Sequence, residues 1–295
     1  MSEPKLRKLA VIGVGLIGGS FAAALKEAGA VVRVVGVGRS RAHLERALGL
    51  GVIDEIATDV AEAVRGADFV LLAVPVQQTR SLLAQIGPVL APDCVVTDGG
   101  SSKRDVVDAA RQALGAKFGQ FVPSHPIAGA ERSGVEACSA TLFQDRLVVL
   151  TPLPQTESQA IERVESMWRL CGARLVRMDP TRHDEVLGAV SHLPHALAFV
   201  LVAMIASRPD APELFAFAGA GFRDFTRIAG SSPEMWRDVC LANRDALLRE
   251  IEAYQSELAA LARSLREGDG ADLERLFRSA RDARARWLQD IQSKS

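Results

Sequence analysis

An excess of charge of either sign is absent from this 295-residue sequence: 35 Lys and Arg stand against 36 Asp and Glu, a net charge of −1. Nucleic-acid binders normally carry a basic excess, so no nucleic-acid partner is expected. Cysteine is sparse. Cys94, Cys138, Cys171 and Cys240 lie far apart and form no C-x-x-C pair. That excludes a disulfide framework and points to reduced, mostly buried thiols in a cytoplasmic protein. Long apolar runs are missing too. The run over residues 193–206 covers 14 positions, where a membrane span needs about 20. It is expected to be a buried core helix, and no membrane partner is expected. The N-terminus, MSEPKLRK, is polar and leads into a glycine-studded stretch without a signal-peptide pattern.

What is present is ordinary globular material, 48% hydrophobic and 24% charged. The length suggests two domains, and the two halves differ in pattern. Short β-branched runs at 9–12, 31–37, 69–74, 94–98, 120–123, 146–151 and 174–178 alternate with helical patterns at 16–28, 42–48, 81–89, 103–113 and 157–171. Repeated βαβ units predict a doubly wound parallel sheet of the Rossmann type. After Met178-Asp179-Pro180 the strand pattern stops and helices dominate. We therefore expect an α/β dinucleotide-binding domain over residues 1–179 and an all-α domain over 180–295.

The helical half carries Leu247, Ile251, Tyr254, Leu258, Leu261 and Leu265 at alternating spacings of four and three. This is an a/d seam on a helix expected to run from 233 to 266, about 50 Å at 1.5 Å per residue. A second amphipathic helix follows Gly268-Asp269-Gly270, marked by Leu273, Phe277, Ala280, Trp287 and Ile291. The seam fits a homodimer interface; an intramolecular helical hairpin is the alternative.

The first chemical motif is Gly13-Val14-Gly15-Leu16-Ile17-Gly18, placed between an apolar strand and a helix. In that context it reads as a dinucleotide cradle. Gly13 makes the turn, Gly15 admits the pyrophosphate, Gly18 lets helix and strand close, and Leu16 and Ile17 begin the helix whose N-terminus attracts the anion. At the end of the second strand an NAD site usually places an acid. Here Gly38 occupies that position, followed by Arg39-Ser40-Arg41. These three suit a 2′-phosphate, so NADP is the expected cofactor; NAD with Arg39 stacked on adenine is the alternative. Val74 and Pro75 end the next core strand and should line the cofactor crevice.

Two more strand ends carry chemistry, the first of them a strand-to-helix turn. Asp98-Gly99-Gly100-Ser101-Ser102-Lys103 follows one strand, and Ser124-His125-Pro126-Ile127-Ala128-Gly129-Ala130-Glu131 follows another. His125 has a suitable pKa for a base beside an alcohol being oxidised, and Ser101 is placed to orient it or the substrate hydroxyl. In the helical half, His192 and His195 share a helix face if both are helical, but no third ligand suggests a metal, and none is expected. Gly219 to Arg227 sets arginines beside a glycine-rich turn, suited to carboxylate capture; a surface salt bridge to Asp224 is the alternative.

In this order GVGLIGGS, DGGSSK, HPIAGAE, SHLPH and FRDFTR resemble the prephenate/arogenate dehydrogenase family of tyrosine biosynthesis, over essentially the whole chain. The resemblance implies a Rossmann domain, a helical dimerisation domain and an active site between them. The implied reaction is oxidative decarboxylation of a 4-hydroxycyclohexadienyl ring. By the same resemblance His125 is the catalytic base, and Ser101 contacts the reacting hydroxyl and the nicotinamide side. Arg227 binds a substrate carboxylate, Ser191, His192 and His195 face the substrate, and Trp236 lines the cleft. Glu131 lies near the substrate side chain, where it would attract the ammonium of arogenate unless it turns away to pair with Arg132. Neither a preceding mutase domain nor a following regulatory domain is expected, so feedback by tyrosine would act at the active site. Other classes remain open: a 3-hydroxyacid dehydrogenase or imino-acid reductase, or a non-catalytic dinucleotide sensor.

Overall fold

The computed structural model describes residues 5–129 and 134–292. By compactness these divide into one unit over residues 1–246 and a second over 247–295.

In the first unit, strands β1 (Leu6–Ile12), β2 (Val31–Val37), β3 (Glu55–Ile56), β4 (Phe69–Leu72), β5 (Val95–Asp98) and β6 (Phe121–Val122) form one parallel sheet in the order β3-β2-β1-β4-β5-β6. The order reverses between β1 and β4, which opens a crevice at the carboxyl ends of those strands. Helices α1 (Leu16–Glu27), α2 (Arg41–Gly49), α3 (Val60–Val64), α4 (Thr79–Ile86), α5 (Arg104–Leu114) and α6 (Ser158–Leu170) complete the α/β part. Side-chain alternation explains the unbroken apolar strands. Leu9 and Val11 join Phe21, Leu25 and Trp168 on one face, while Ala10 and Ile12 join Leu72, Val96 and Val106 on the other. Both faces are covered, as a parallel sheet requires.

A second sheet departs from the expected single one. The run over 120–123 ends its parallel pairing at Val122, and the chain crosses through Pro123 into β7 (Ser124–Pro126). Pro123 has no N–H to continue the ladder. β7 pairs antiparallel with β8 (Leu147–Leu150), which pairs in parallel with β9 (Arg174–Arg177). His125, expected at a strand end, sits in the middle of this short strand, opposite Val149.

From Pro180 the first unit is helical. It contains α7 (Pro180–Leu187), a π turn at Gly188–His192, α8 (Leu193–Ala206), α9 (Ala211–Ala216), α10 (Ala220–Thr226) and α11 (Pro233–Ala242). The expectation of a buried core helix over 193–206 fails for a single chain. In α8 only Ala198 is buried, while Val200 and Met204 are exposed. With α7 and the π turn it forms a 27-residue helical run, long and apolar enough to cross a membrane by length and composition. That run also carries His183, Asp184, His192 and His195.

The single helix expected over 233–266 is two helices, α11 and α12 (Arg244–Glu267), broken at Asn243. The break is held by tertiary contacts: the Asn243 amide donates to the Asp184 carbonyl at 2.7 Å and lies 3.0 Å from His192 Nδ1. In the second unit, α12 and α13 (Gly270–Gln292) flank a turn at Gly268, whose φ is +67°. Ser264 Oγ donates to Asp272 across that turn at 2.5 Å.

Candidate active site

The cradle forms where β1 meets α1. The Gly13 N–H donates to the Val37 carbonyl at 2.9 Å, and its φ of +94° places any Cβ against the Ala73 carbonyl. A Cβ on Gly18 would strike the Gly13 carbonyl. Gly15 differs: a Cβ there meets nothing within 4 Å. It is the N-cap of α1 without a side-chain cap, and no acid lies in the first turn. The first amides of α1 thus face open space with a favourable dipole, and these residues fit a pyrophosphate. Leu16 and Ile17 begin α1, and Ile17 lies against Gly99 at the end of β5. Val74 packs beside Gly13, with Pro75 next to it. At the end of β2 the three candidate phosphate ligands all have partners within the protein. Arg39 Nη1 lies 3.5 Å from Glu234, Ser40 Oγ caps α2 by accepting from the His43 N–H, and Arg41 Nε donates to Glu45 at 2.9 Å.

His125 is buried, and its Nδ1 lies 2.9 Å from His183 Nε2. His183 Nδ1 in turn lies 2.8 Å from Asp184 Oδ1. The Asp184 carboxylate also accepts the N–H groups of Lys103 and Arg104, at 2.8 and 2.9 Å. Acceptor-only carboxylate oxygens fix the proton order. Neutral His183 donates from Nδ1 to Asp184, accepts at Nε2 from His125 Nδ1–H, and leaves a lone pair on His125 Nε2. Burial pushes the His125 pKa well below the usual histidine value, with His183, Lys103 and His192 adding to the fall. His183 is lowered mainly by burial, against the opposing pull of Asp184. Both rings are neutral near pH 7, the state a base requires.

Beneath them Lys103 is fully buried, its ammonium bonded to Asp98 and to the Ser124 carbonyl. Asp98 accepts from the Gly100 and Ser124 N–H groups. The buried Trp168 indole donates to Ser124 Oγ at 3.2 Å. β7 is thereby tied to the end of β5 through Ser124, the residue before His125. Ser101 follows Gly100 in the same turn, half-buried.

The helical run supplies a second group of side chains. The Asn243 amide nitrogen must face the Asp184 carbonyl, so it donates to His192 Nδ1 and leaves the proton on His192 Nε2. Among the described residues, the indole nitrogen of Trp236 is buried without a hydrogen bond, and His192 Nε2 makes none of ordinary geometry, with only the Ser101 carbonyl near it. A buried donor without an acceptor, beside one so weakly engaged, suits a ligand that brings oxygen atoms. Burial drives the His192 pKa down to about 4, opposed by Asp184 and weakly by the Ser101 backbone. His195 donates from Nδ1 to the Ser191 carbonyl at 2.9 Å, and its ring stacks on Trp236 at 3.7 Å between centroids. Its pKa is lowered by burial, opposed by Ser191, with the Arg227 charge lowering it further. Arg227 follows α10, in a turn that packs against α8. Glu131 lies outside the described residues. Among those described, no three His, Cys, Asp or Glu side chains group as a metal site.

Two family models together match most of the chain. The family model described as prephenate dehydrogenase, nucleotide-binding domain, matches residues 21–177, and that described as prephenate dehydrogenase, dimerization domain, matches 179–279. The chain belongs to the prephenate dehydrogenase family. A prephenate dehydrogenase of Bacillus subtilis is 38% identical over 92% of this chain and 74% of its own length. A cyclohexadienyl dehydrogenase of Zymomonas mobilis is 36% identical, covering 94% of this chain and 95% of the relative. Among solved structures, Aquifex aeolicus prephenate dehydrogenase in complex with hydroxyphenyl propionate and NAD+ superposes with a TM-score of 0.86 at 37% identity, over 93% of this chain and 96% of that one. As a member of the family, the chain is an NAD(P)-dependent oxidoreductase of tyrosine biosynthesis. The hydroxyacid dehydrogenase, imino-acid reductase and sensor readings are not favoured.

Sequence reasoning missed His183, Asp184 and Asn243, and took Lys103 only as the end of a motif. An adjacent His-Asp pair three residues into a Pro-initiated helix reads as solvated surface. The fold buries both residues completely, against the start of α5.

Proposed function

We propose that the chain oxidatively decarboxylates both arogenate and prephenate, with NADP preferred and NAD accepted, and that the observation carrying this reading is the His125–His183–Asp184 chain. It presents an unprotonated Nε2 from a buried ring. The C4 hydroxyl of the substrate donates to that nitrogen. As hydride leaves C4, positive charge builds on the hydroxyl, and His125 takes the proton. When the ring carboxylate leaves as CO₂, its bonding electrons make the ring aromatic and the phenol recovers the proton. The nicotinamide, when bound, supplies the hydride acceptor. Ser101 orients the C4 hydroxyl from the turn after β5.

His192 and Trp236 offer buried donors to substrate oxygens, and Arg227 holds a carboxylate by charge-assisted bonds. Ser191 fixes the tautomer of His195, whose Nε2 is left as an acceptor. Glu131 is the proposed partner of the arogenate ammonium, on the strength of its place in the HPIAGAE motif. Gly38 in place of an acid, followed by Arg39, Ser40 and Arg41, supports NADP.

The exposed apolar residues of α8, α12 and α13 support a homodimer rather than a membrane contact, in line with the dimerization-domain match. Four free cysteines support a cytoplasmic location, which cell fractionation checks.

The decisive experiment pairs NAD or NADP with prephenate or arogenate and follows absorbance of the reduced nicotinamide. Reduction with prephenate but never arogenate removes the arogenate reading. Reduction of NAD alone removes the NADP reading. His125→Asn should lower turnover by about 10²-fold or more while nucleotide binding persists; unchanged turnover would sink the assignment of His125 as base.

A further inference from the structure

We propose that Glu234 selects between the two nucleotides by holding Arg39. Its carboxylate takes the place of the acid that Gly38 does not provide. This rests on the reading that Arg39 faces the adenosine ribose. β2 ends at Val37, whose carbonyl accepts the Gly13 N–H, so Arg39 begins two residues from the glycine cradle. In a sheet of this topology the ribose lies at that strand end.

Glu234 arrives there from a distant part of the chain, 195 residues away in sequence. Three features place it. Ser232 caps α11 by accepting from the Met235 N–H, Pro233 starts the helix, and Glu234 stands in its first turn. α11 packs against the Val76–Gln78 turn, immediately past Val74 and Pro75 at the crevice. On its inner side the same helix carries Trp236, stacked on His195. The position of the carboxylate is thus set by a helix anchored in the substrate group.

The chemistry then has two arrangements. An unphosphorylated ribose offers a 2′-hydroxyl, a donor, and Glu234 can accept from it while still paired with Arg39. A 2′-phosphate is an acceptor with about two negative charges. It competes with Glu234 for the guanidinium and is repelled by the carboxylate. Arg39 favours the phosphate, Glu234 opposes it, and their balance sets the preference. Arg41 is held by Glu45 on its own helix, so that pair does not link nucleotide to substrate group as Arg39–Glu234 does.

The test compares binding of adenosine 2′,5′-bisphosphate and 5′-AMP by titration calorimetry on the full chain. Glu234→Gln, Arg39→Gln and the double variant are measured beside the unsubstituted protein. Glu234→Gln should tighten the bisphosphate about 3- to 10-fold and weaken 5′-AMP slightly, the scale of an exposed charge pair facing a doubly charged ligand. In the Arg39→Gln background the gain on the bisphosphate should shrink to that of simple repulsion, about 2-fold. Glu234→Asp should keep most of the original preference. An unchanged ratio in Glu234→Gln, with Arg39→Gln still weakening the bisphosphate, overturns the role of Glu234 and leaves the Arg39 reading standing. If Arg39→Gln leaves bisphosphate binding unchanged, the Arg39 reading fails, and this proposal with it. Equal weakening of both probes in Glu234→Gln makes the residue merely structural and likewise overturns the proposal.

Discussion

His125 Nδ1 stands 2.9 Å from His183 Nε2, and that contact decides which nitrogen of His125 can act as a base. Asp184 polarises the pair from the far end, held in turn by the amides that open α5. A carboxylate that only accepts leaves a single proton order for two neutral rings. Asp184→Asn introduces a donor where the Lys103 and Arg104 amides and the His183 ring all require an acceptor. We expect turnover to fall by about 10²-fold or more, as when the carboxylate orienting a catalytic histidine is amidated. His183→Leu should lower turnover by at least about 10-fold, because His125 then loses its tautomer anchor. Steady-state kinetics with nucleotide binding as a control measures both. Wild-type turnover in either variant would remove the chain from the mechanism.

The pH profile provides a separate check. Burial lowers the His125 pKa, and the positive charge nearby deepens the fall. The base is active when deprotonated, so kcat/KM should stay on its plateau as pH falls through 6.5 and decline only at more acid pH. An inflection at the ordinary histidine value would contradict a buried base.

The cradle was legible in the sequence because each glycine answers a local steric demand. A Cβ at Gly13 or Gly18 meets backbone only a turn away. The parallel strands were legible for a similar reason, since burial on both faces leaves continuous apolar runs. The relay was not legible, because His183 lies 58 residues from His125 and nothing in the periodicity of α7 distinguishes it from a solvated position. Asn243 costs a helix little in itself. Its break comes from Asp184 and His192, which only the fold brings near. For α8, composition suggested a buried core helix, but within this chain only Ala198 is buried, because an apolar run does not say which surface it packs against.

His192 makes folding sensitive to acid. Its pKa falls to about 4 in the folded chain, chiefly through burial, from an unfolded value of 6.5. The unfolded state therefore binds more protons between those limits. The contribution is fully present above pH 6.5 and is lost as pH falls towards 4, amounting to at most about 3 kcal/mol. Chemical denaturation at several pH values should show stability falling across this window. His192→Gln should flatten part of the slope, and an identical slope in the variant would assign the effect elsewhere.

Lys103 and Asp98 form a buried ion pair that positions β7. Lys103→Met removes the ammonium and leaves Asp98 with backbone donors alone. Breaking such a pair from one side costs about 3–5 kcal/mol, and urea denaturation should show a loss of that order. Lys103→Met with Asp98→Asn should recover part of it, since no unpaired charge then remains, and only part, since the new amide group meets one of the two backbone N–H donors. Equal stability of the single and double variants would show that the charge is not the cause.

The C-terminal helices offer the final prediction. On α12, Tyr254, Leu258 and Leu265 are exposed, as are Leu276, Phe277, Trp287 and Ile291 on α13. Scattered exposed leucines need no explanation, but aromatic and aliphatic side chains repeated along two long helices are what the proposed homodimer interface requires. A carboxylate placed at its centre should be tolerated by a monomer and rejected by an interface. Leu258→Asp and Phe277→Asp are therefore expected to shift the protein from dimer to monomer in analytical ultracentrifugation, with the Rossmann domain still binding nucleotide. Glu274→Gln, an exposed polar change on the same helix paired locally with Arg278, should leave the dimer intact. If both aspartate variants sediment as dimers, the chains meet through another surface, and the exposed face of α8 becomes the next to test.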